Sequence, residues 1–514
     1  MTDILDSDLL LEEIVRRHAR AKERRENWLP TWQDCYDHAL PQRGNFFGSY
    51  QTGAVRTEQI YDATAMDAAD QLAASMLGNL TPPWTQWFGL KPGPALSAGE
   101  AAALSPVLEK AGRTLQTHFD RSNFAVEVHQ CFLDLIVGGT ASLFFEETEP
   151  GNFSAFRFTA TPLAHISLEE GESGILDGTF RELFLTLSQI QARYPFADLP
   201  NKVVSVGEKD PQQKFSILES ILPLKGGSIL YHALLNEEGV DQELLRLKLP
   251  ISPVINFRWQ KSPGEIYGRS PVMKALPDIK TANKVVELIL KNASISVSGI
   301  WQADDDGVLN PSNIELKPGT IIPKAVGSKG LSPLEMPGRF DVSQIVLEDL
   351  RTRIRHALLA DKLAPVNAPR MTATEVLERA AEMALLLGAT YGRLQSEFLT
   401  PLIQRAYSIL RRRGEVPDVM IDGRSVTIDY RSPLARAQSQ GNVQNTLSWI
   451  NSALAMGGEA AQSVDLGAAA RFLGEALGVP GDLIKNPKAL AALSESQTLS
   501  PPLQEPLPQE KTNE

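Results

Sequence analysis

Apolar positions recur at helical spacing over most of the chain and give way to alternation in one long central stretch. Residues 3–40 show the helical pattern first, with Leu10, Ile14, Val15 and Ala19 near a 3.6-residue period and dense charge between them. The segment IYDATAMDAADQLAASMLGNLTPPWTQWFGL, residues 60–90, predicts an Ala-rich helix ended by Thr81-Pro82-Pro83, then an aromatic extended piece. A further helix is expected over roughly 100–119. From about 140 to 260 the stretches AFRFTAT, GILDGTFRELFLTL, GSILYHALL, LLRLKLP and VINFRW predict strands joined by turns.

Helical spacing returns at 270. Ser270-Pro271 is an N-cap followed by proline at the first helical position, and Pro277 implies a kink or a restart. Beyond it Ile279, Ala282, Val286, Ile289 and Ala293 alternate steps of three and four, a narrow seam suited to packing against other helices. Residues 297–338 break the pattern, with a hairpin expected to turn at Asp306-Gly307. A second helix is expected from an Asp341/Gln344 capping pair through Leu347, Leu350, Ile354 and Leu358.

The next stretch, APVNAPRMTATEVLERAAEM, begins as a proline-stiffened loop and ends as a helix. Pro365 and Pro369 push Ala364 and Ala368 out of helical geometry. Thr372 and Glu375 then cap a long helix running to Gly414, with a bend expected at Pro401. Gly388 and Gly392 lie one turn apart and each costs ~1 kcal/mol relative to alanine; a close helix crossing or plain tolerance would account for them. Arg411, Arg412 and Arg413 suit the negative end of the helix dipole, a reading favoured over a DNA-binding role. Shorter Ala-rich helices follow over 432–490, and residues 491–514 lack apolar periodicity and are expected to be disordered. The fold class is therefore α+β, mainly helical.

Composition narrows this picture without redirecting it. With 514 residues the chain exceeds one ordinary core, so two or more domains are expected. The formal charge of −12 argues against a dedicated groove-reading DNA binder but leaves room for a local basic patch. Cys35 and Cys131 stand far apart with no C-x-x-C partner, so neither a disulfide framework nor a zinc site is expected. The N-terminus is acidic before it is apolar, the wrong order for a secretory signal. The apolar stretch CFLDLIVGGTASLFF, 131–145, is short, carries Asp134 and reads as buried core, so no membrane segment is expected.

Catalytic constellations are missing. No G-x-x-x-x-G-K-[ST], HExxH or G-x-S-x-G occurs. His18, His38, His118, His129 and His165 form no ligand pair at helical spacing. Asp304, Asp305 and Asp306 invite a calcium reading, but the spacing is not that of an EF-hand loop and Asn313 stands where its glutamate should be. An acidic hairpin tip is favoured, and neither cofactor nor metal is expected. Basic residues gather instead at Arg351, Arg353, Arg355, Lys362 and Arg370. On a helix Arg351 and Arg355 share a face while Arg353 points nearly opposite, so they serve either phosphates or a solvated face with intersubunit salt bridges.

Three stretches carry a resemblance: residues 60–90 quoted above, EIYGRSPVMKALPDIKTANK at 265–284, and PRMTATEVLERAAEMALLLGATYGRLQSEFLTPLIQRAYSILRRRGEVP at 369–417. In this order and register the chain resembles the portal, or head-to-tail connector, proteins of short-tailed double-stranded DNA bacteriophages. The resemblance implies a closed ring of about twelve copies at one capsid vertex, assembled in the host cytoplasm. It implies a wing over 1–265, a first stem helix over 266–296, a clip over 297–338 and a second stem helix over 339–360. A tunnel loop at 361–371 (Pro365, Val366, Asn367 and Pro369 within it), a long wing helix and closing strand over 372–431, and a crown over 432–490 complete the plan. Candidate contacts to DNA, bound without sequence specificity, are Arg351, Arg355, Lys362 and Arg370. Candidate contacts to a terminase on the clip are Asp304, Asp305, Asp306, Lys324 and Lys329. A tail adaptor and the major capsid and scaffold proteins are the other implied partners. The competing expectations are a nucleic-acid-processing enzyme of the packaging apparatus, against which the missing phosphate loop speaks, and another capsid or tail component.

Overall fold

The computed structural model describes residues 11–43, 46–47, 53, 56–83, 85–237, 240–298, 301–303, 331–333, 340–362, 388–458 and 463–476. The chain starts with α1 (Leu11–Glu26), α2 (Leu29–Ala39), α3 (Thr64–Leu80), β1 (Phe88–Pro92), α4 (Ala98–Asp120) and α5 (Phe124–Gly138). A β-rich stretch follows with β2 (Thr140–Glu147), β3 (Phe156–Thr161), β4 (Ile166–Glu169) and β5 (Gly178–Thr186). Two short helices, α6 (Leu187–Arg193) and α7 (Asn201–Lys209), precede β6 (Lys214–Pro223), β7 (Ile229–Glu237), β8 (Val240–Leu249) and β9 (Val254–Arg258). The long helices α8 (Pro271–Ser298) and α9 (Phe340–Ala357) flank the short strands β10 (Trp301–Ala303) and β11 (Leu331–Pro333). Then come α10 (Gly388–Leu394), α11 (Thr400–Arg412), β12 (Val426–Tyr430), α12 (Pro433–Met456) and α13 (Leu466–Ala476).

These elements form two packed units, one of Met1–Ser75, Glu127–Phe144 and Thr159–Ala368, the other of Met76–Val126, Phe145–Phe158 and Pro369–Glu514. The first is built on an antiparallel meander of five strands in the order β4-β5-β6-β7-β8. Its strands alternate as the pleat requires. Phe180, Leu218, Leu222, Leu230 and Leu234 lie on one side beneath Ile14 and Ala21 of α1. Phe215, Ile217, Ala233, Leu235 and Leu244 lie on the other, covered by Leu187, Ile190 and Tyr194 from α6 and its end and by Val203 of α7. The helical pattern expected over 3–40 is, in its described part, two helices that meet at Asn27-Trp28.

Aromatic rings hold the second unit together. Phe119, Phe124, Phe145, Phe156 and Phe158 contact one another, with centroids 4.4 Å apart for Phe145–Phe158 and 4.9 Å for Phe119–Phe124, and Trp87 stacks on Phe124. β1 pairs antiparallel with β12, joining residues more than 300 positions apart from Phe88↔Tyr430 to Pro92↔Val426. Where a bend is expected at Pro401, the helix has a π-helical turn over Gln395–Leu399, just before Thr400-Pro401. Thr400 Oγ1 donates to the Gln395 carbonyl at 2.8 Å within that wider turn. A proline cannot donate to the carbonyl four residues back and its ring crowds that carbonyl, so a widened turn relieves both problems. Gly388 and Gly392 have open space where a β-carbon would stand, so among the described residues no close helix crossing explains them.

Candidate functional site

The long helix pair α8/α9, expected as the stem, is where sequence and structure converge. Ser270 caps α8 as read: its Oγ accepts from the Met273 amide at 2.9 Å and donates to the Val137 carbonyl at 2.9 Å. Pro277 brings no restart, because α8 runs as one element from Pro271 to Ser298. Of the seam read from the sequence, Ile279 and Ala282 are buried while Val286, Ile289 and Ala293 are half-buried; Val272 and Ala275 extend the buried part toward the start of α8, and Leu347, Leu350, Ile354 and Leu358 are the buried stripe on and just after α9. Arg353 of α9 reaches Asp278 of α8 at 2.9 Å and ties the pair along one flank. α9 begins at Phe340, so Asp341 lies inside its first turn instead of at its cap. β10 pairs antiparallel with β11, Trp301↔Pro333 to Ala303↔Leu331. The turn at Asp306-Gly307 lies outside the described residues.

Two devices anchor this helix pair within its unit. At the start of α8, Gly139 (φ +80°) and Gly268 bring their backbones together so closely that a β-carbon on either would overlap the other's carbonyl. The Trp259 amide donates to the Gly139 carbonyl at 3.0 Å, and the Gly268 amide donates to Thr140 Oγ1 at 2.8 Å. Arg258, fully buried, donates to the carbonyls of Ile266 and Gly174 at 3.0 Å each and so ties the loop before α8 to the turn at Gly174.

The second device is the segment Gln59–Thr64, which bridges both helices. Asn283 of α8 accepts the amides of Tyr61 (2.6 Å) and Asp62 (3.1 Å) and donates to the Gln59 carbonyl (2.9 Å). Asp62 accepts from the Thr64 amide at 3.0 Å, as a cap for α3, and from Arg351 Nε of α9 at 2.8 Å. Burial acts to raise the Asp62 pKa, but the hydrogen bonds from Thr64 and Arg351 outweigh it and hold the carboxyl below its ordinary range. One carboxylate thus starts α3 and clamps α9.

The basic residues singled out from the sequence part company here. Arg351 is committed to Asp62 and, at 3.0 Å, to Glu348. Arg353 is committed to Asp278. Arg355 is exposed and pairs with no described residue. Lys362 closes a 3-10 turn, Ala360–Lys362, reached through Leu359 at a φ of +58°. Arg370 and the loop residues Pro365, Val366, Asn367 and Pro369 lie outside the described residues, as do Asp304, Asp305, Asp306, Lys324 and Lys329. Arg412 and Arg413 at the end of α11 pair with Glu147 at 2.7 and 2.9 Å, and Arg411 with Asp418 at 3.6 Å, which accounts for their charge structurally. Asp62, Asn283, Gly139 and Gly268 were not singled out from the sequence. The signals available were D-x-T before a helix, which marks a cap, and a Gly-Gly pair between a helix and a strand.

Comparison of the sequence with known proteins gives one consistent answer. The model of a family described as bacteriophage head to tail connecting protein matches residues 11–484. A probable portal protein of Bordetella phage BPP-1 is 26% identical over 456 residues, covering 83% of this chain and 79% of that one. The portal protein of Salmonella phage epsilon15 is 24% identical over 502 residues, covering 92% and 88%. Among solved structures, the neck of an empty GTA particle computed with C6 symmetry aligns with a TM-score of 0.37 and 11% identity, over 84% of this chain and 95% of that chain.

Proposed function

This chain belongs to the family of bacteriophage head-to-tail connecting proteins, and from that premise we propose that copies of it close into a ring around a passage for double-stranded DNA. It is a structural portal protein, not an enzyme. The ring stands at one vertex of the shell, with a terminase and later a tail adaptor docking at one end and capsid and scaffold proteins around its rim.

The observation that supports the ring is the distribution of apolar side chains on α8 and α9. The α8 seam is buried from Val272 to Ala282 and half-buried beyond, and the α9 stripe is buried, yet Leu288 and Leu290 of α8 and Ile345 and Val346 of α9 remain 47–72% exposed. Leu288 lies across α8 from its seam, and Ile345 likewise across α9. Two different apolar surfaces on opposite sides of one helix pair suit a head-to-tail contact, in which the outer side of α8 in one copy meets the outer side of α9 in the next. Replacing Leu288 and Ile345 together with lysine is expected to leave a folded protein with an unchanged circular-dichroism spectrum that no longer forms annuli in negative stain. Normal rings from that variant would remove the stem contact from the proposal.

The charge distribution favours passage over capture. A tight complex needs many neutralised phosphates, and two of the basic residues on α9 are already spent within the subunit. Arg355, Lys362 and Arg370 are therefore the sparse DNA contacts, and Arg351 has a structural role. Arg351→Gln is expected to cost about 1–3 kcal/mol, because it leaves the buried Asp62 carboxylate short of a partner. Replacing Arg355, Lys362 and Arg370 together with glutamine is expected to leave stability and rings intact and to alter the amount of DNA retained in particles. Denaturation midpoints and DNA content, measured side by side, check the contrast.

A further inference from the structure

We propose that the helix pair α12/α13 binds the same pair in the neighbouring copy, edge to edge, and so forms a second belt of subunit contacts; this rests on the ring reading above. Ile450, Ala453 and Val464 form the small core of the pair, with Ala469 and Leu473 packed against it, and Val443 is buried two turns earlier on α12. On one side of that buried stripe Leu447 and Leu454, a heptad apart, are 41% and 44% exposed. On its other side Trp449 and Met456, also a heptad apart, are 54% and 76% exposed. α13 adds Leu466 and Phe472. At 100° per residue the two exposed rows of α12 stand on opposite flanks of the stripe.

Charge supplies an independent observation. Arg436 is the single charged residue among the 24 of α12, in a chain whose charged fraction is 22%. Depletion of charge together with exposed Trp, Met and Phe marks the centre of a protein interface. The depletion also points to the occupant. Copies that each carry −12 repel one another, so identical subunits are best joined where charge is missing.

Size and symmetry then separate a ring neighbour from a free dimer. A self-complementary dimer uses one patch twice, whereas a head-to-tail contact needs two unlike patches, and α12 offers two unlike flanks. Each flank spans only a few side chains, well short of the ~800 Å² per partner of a standard interface. The contact is therefore formed between copies already held side by side, and it does not draw free subunits together.

Cross-linking tests this on the full chain, where Cys35 and Cys131 are buried and do not compete. Trp449→Cys and Leu454→Cys in one chain, treated with a short dithiol-reactive linker after ring formation, are expected to give a ladder of covalent oligomers. Either substitution alone is expected to give none. Amide exchange over residues 443–456 is expected to slow at least tenfold when unmodified subunits assemble. Rings that show neither ladder nor slowed exchange overturn the proposal, and dimers from a single-cysteine variant overturn its head-to-tail form. Protein that makes no rings at all overturns the ring reading itself, an outcome visible in the micrographs before any linker is added.

Discussion

Glu219→Ala is expected to cost about 3–5 kcal/mol, the range for removing one partner of a buried ion pair. Glu219 sits in the middle of β6 with no exposed surface. One of its oxygens accepts from Arg181 Nε at 2.7 Å and from the same guanidinium's Nη2. The other accepts from Arg193 Nε at 3.0 Å and from the hydroxyls of Tyr194 and Tyr231 at 2.7 Å each. Arg181 also lies over the Phe144 ring, 3.8 Å from its centroid, and is itself buried. Burial acts to raise the Glu219 pKa, but the attraction of Arg181 and Arg193 and the tyrosine hydrogen bonds prevail and leave it lowered. A lowered carboxyl pKa means stability that is present at neutral pH and lost as the pH falls through the folded-state value. Urea midpoints at neutral and acid pH, read by tryptophan fluorescence, should show the largest gap between Glu219→Ala and the unmodified protein at neutral pH. Glu219→Met with Arg181→Met should recover much of the loss, since no unpaired charge then stays buried. A single substitution that left the neutral-pH midpoint in place would mean that water reaches Arg181 and solvates it.

That network also shows why part of the fold could not be read from the sequence. β6 was not among the expected strands, because Glu219 and Ser220 interrupt its apolar run, KFSILESILP. Its partners come from β5, from α6 and its C-cap, and from β7. A buried glutamate looks like a surface residue until those partners are assembled around it. α5 escaped notice for the opposite reason. The run at 131–145 is apolar all round, so period gives no element type, and the structure divides it between the end of α5, Gly138-Gly139 and the start of β2. Asp134, which interrupts that run, is buried with Tyr36 donating to it at 2.8 Å and the Arg43 guanidinium 3.1 Å away as an ion pair, and its burial pushes its pKa up to about 6.

Local chemistry was legible where it is short-ranged. The Ser270-Pro271 cap, the stripe of α9, the first part of the α8 seam at Ile279 and Ala282, and the end of α3 at Thr81 depend on residues within a few turns of one another. The Asp62–Arg351 clamp joins positions 289 apart, and no periodicity reports it. Charge counting placed Arg351 and Arg355 together on one helical face, which the α9 geometry supports. It could not separate a charge already spent on a buried aspartate from one still exposed four residues further on.

Gly139→Val should have the largest effect of any single substitution in the mount of the helix pair, exceeding the ~1–3 kcal/mol ordinarily lost to overpacking. Two independent penalties coincide there. The backbone at φ +80° disfavours any side chain, and valine's branched β-carbon most of all. The new atoms would also meet backbone, the Gly268 carbonyl and the Ser270 amide, and not the pliable end of a side chain. Relief requires the 267–270 segment to retreat. That retreat would strain the Gly268–Thr140 hydrogen bond and shift Ser270 at the cap of α8. A helix released at its first turn would no longer present its outer face at a fixed angle. Ring closure is more sensitive to such an angle than folding is, because an error in each subunit accumulates around the circle. At the milder Gly139→Ala, where the loss of stability is smaller, the expected result is therefore folded subunits that assemble into open arcs or rings of mixed size. Gly388→Ala serves as the control: open space surrounds that position, no positive φ is needed, and alanine is the better helix former. Its rings should match those of the unmodified protein in size distribution, counted in the same micrographs. Uniform, closed rings from Gly139→Ala would mean that the angle of α8 is set by the Asp62–Asn283 bridge instead of by the two glycines.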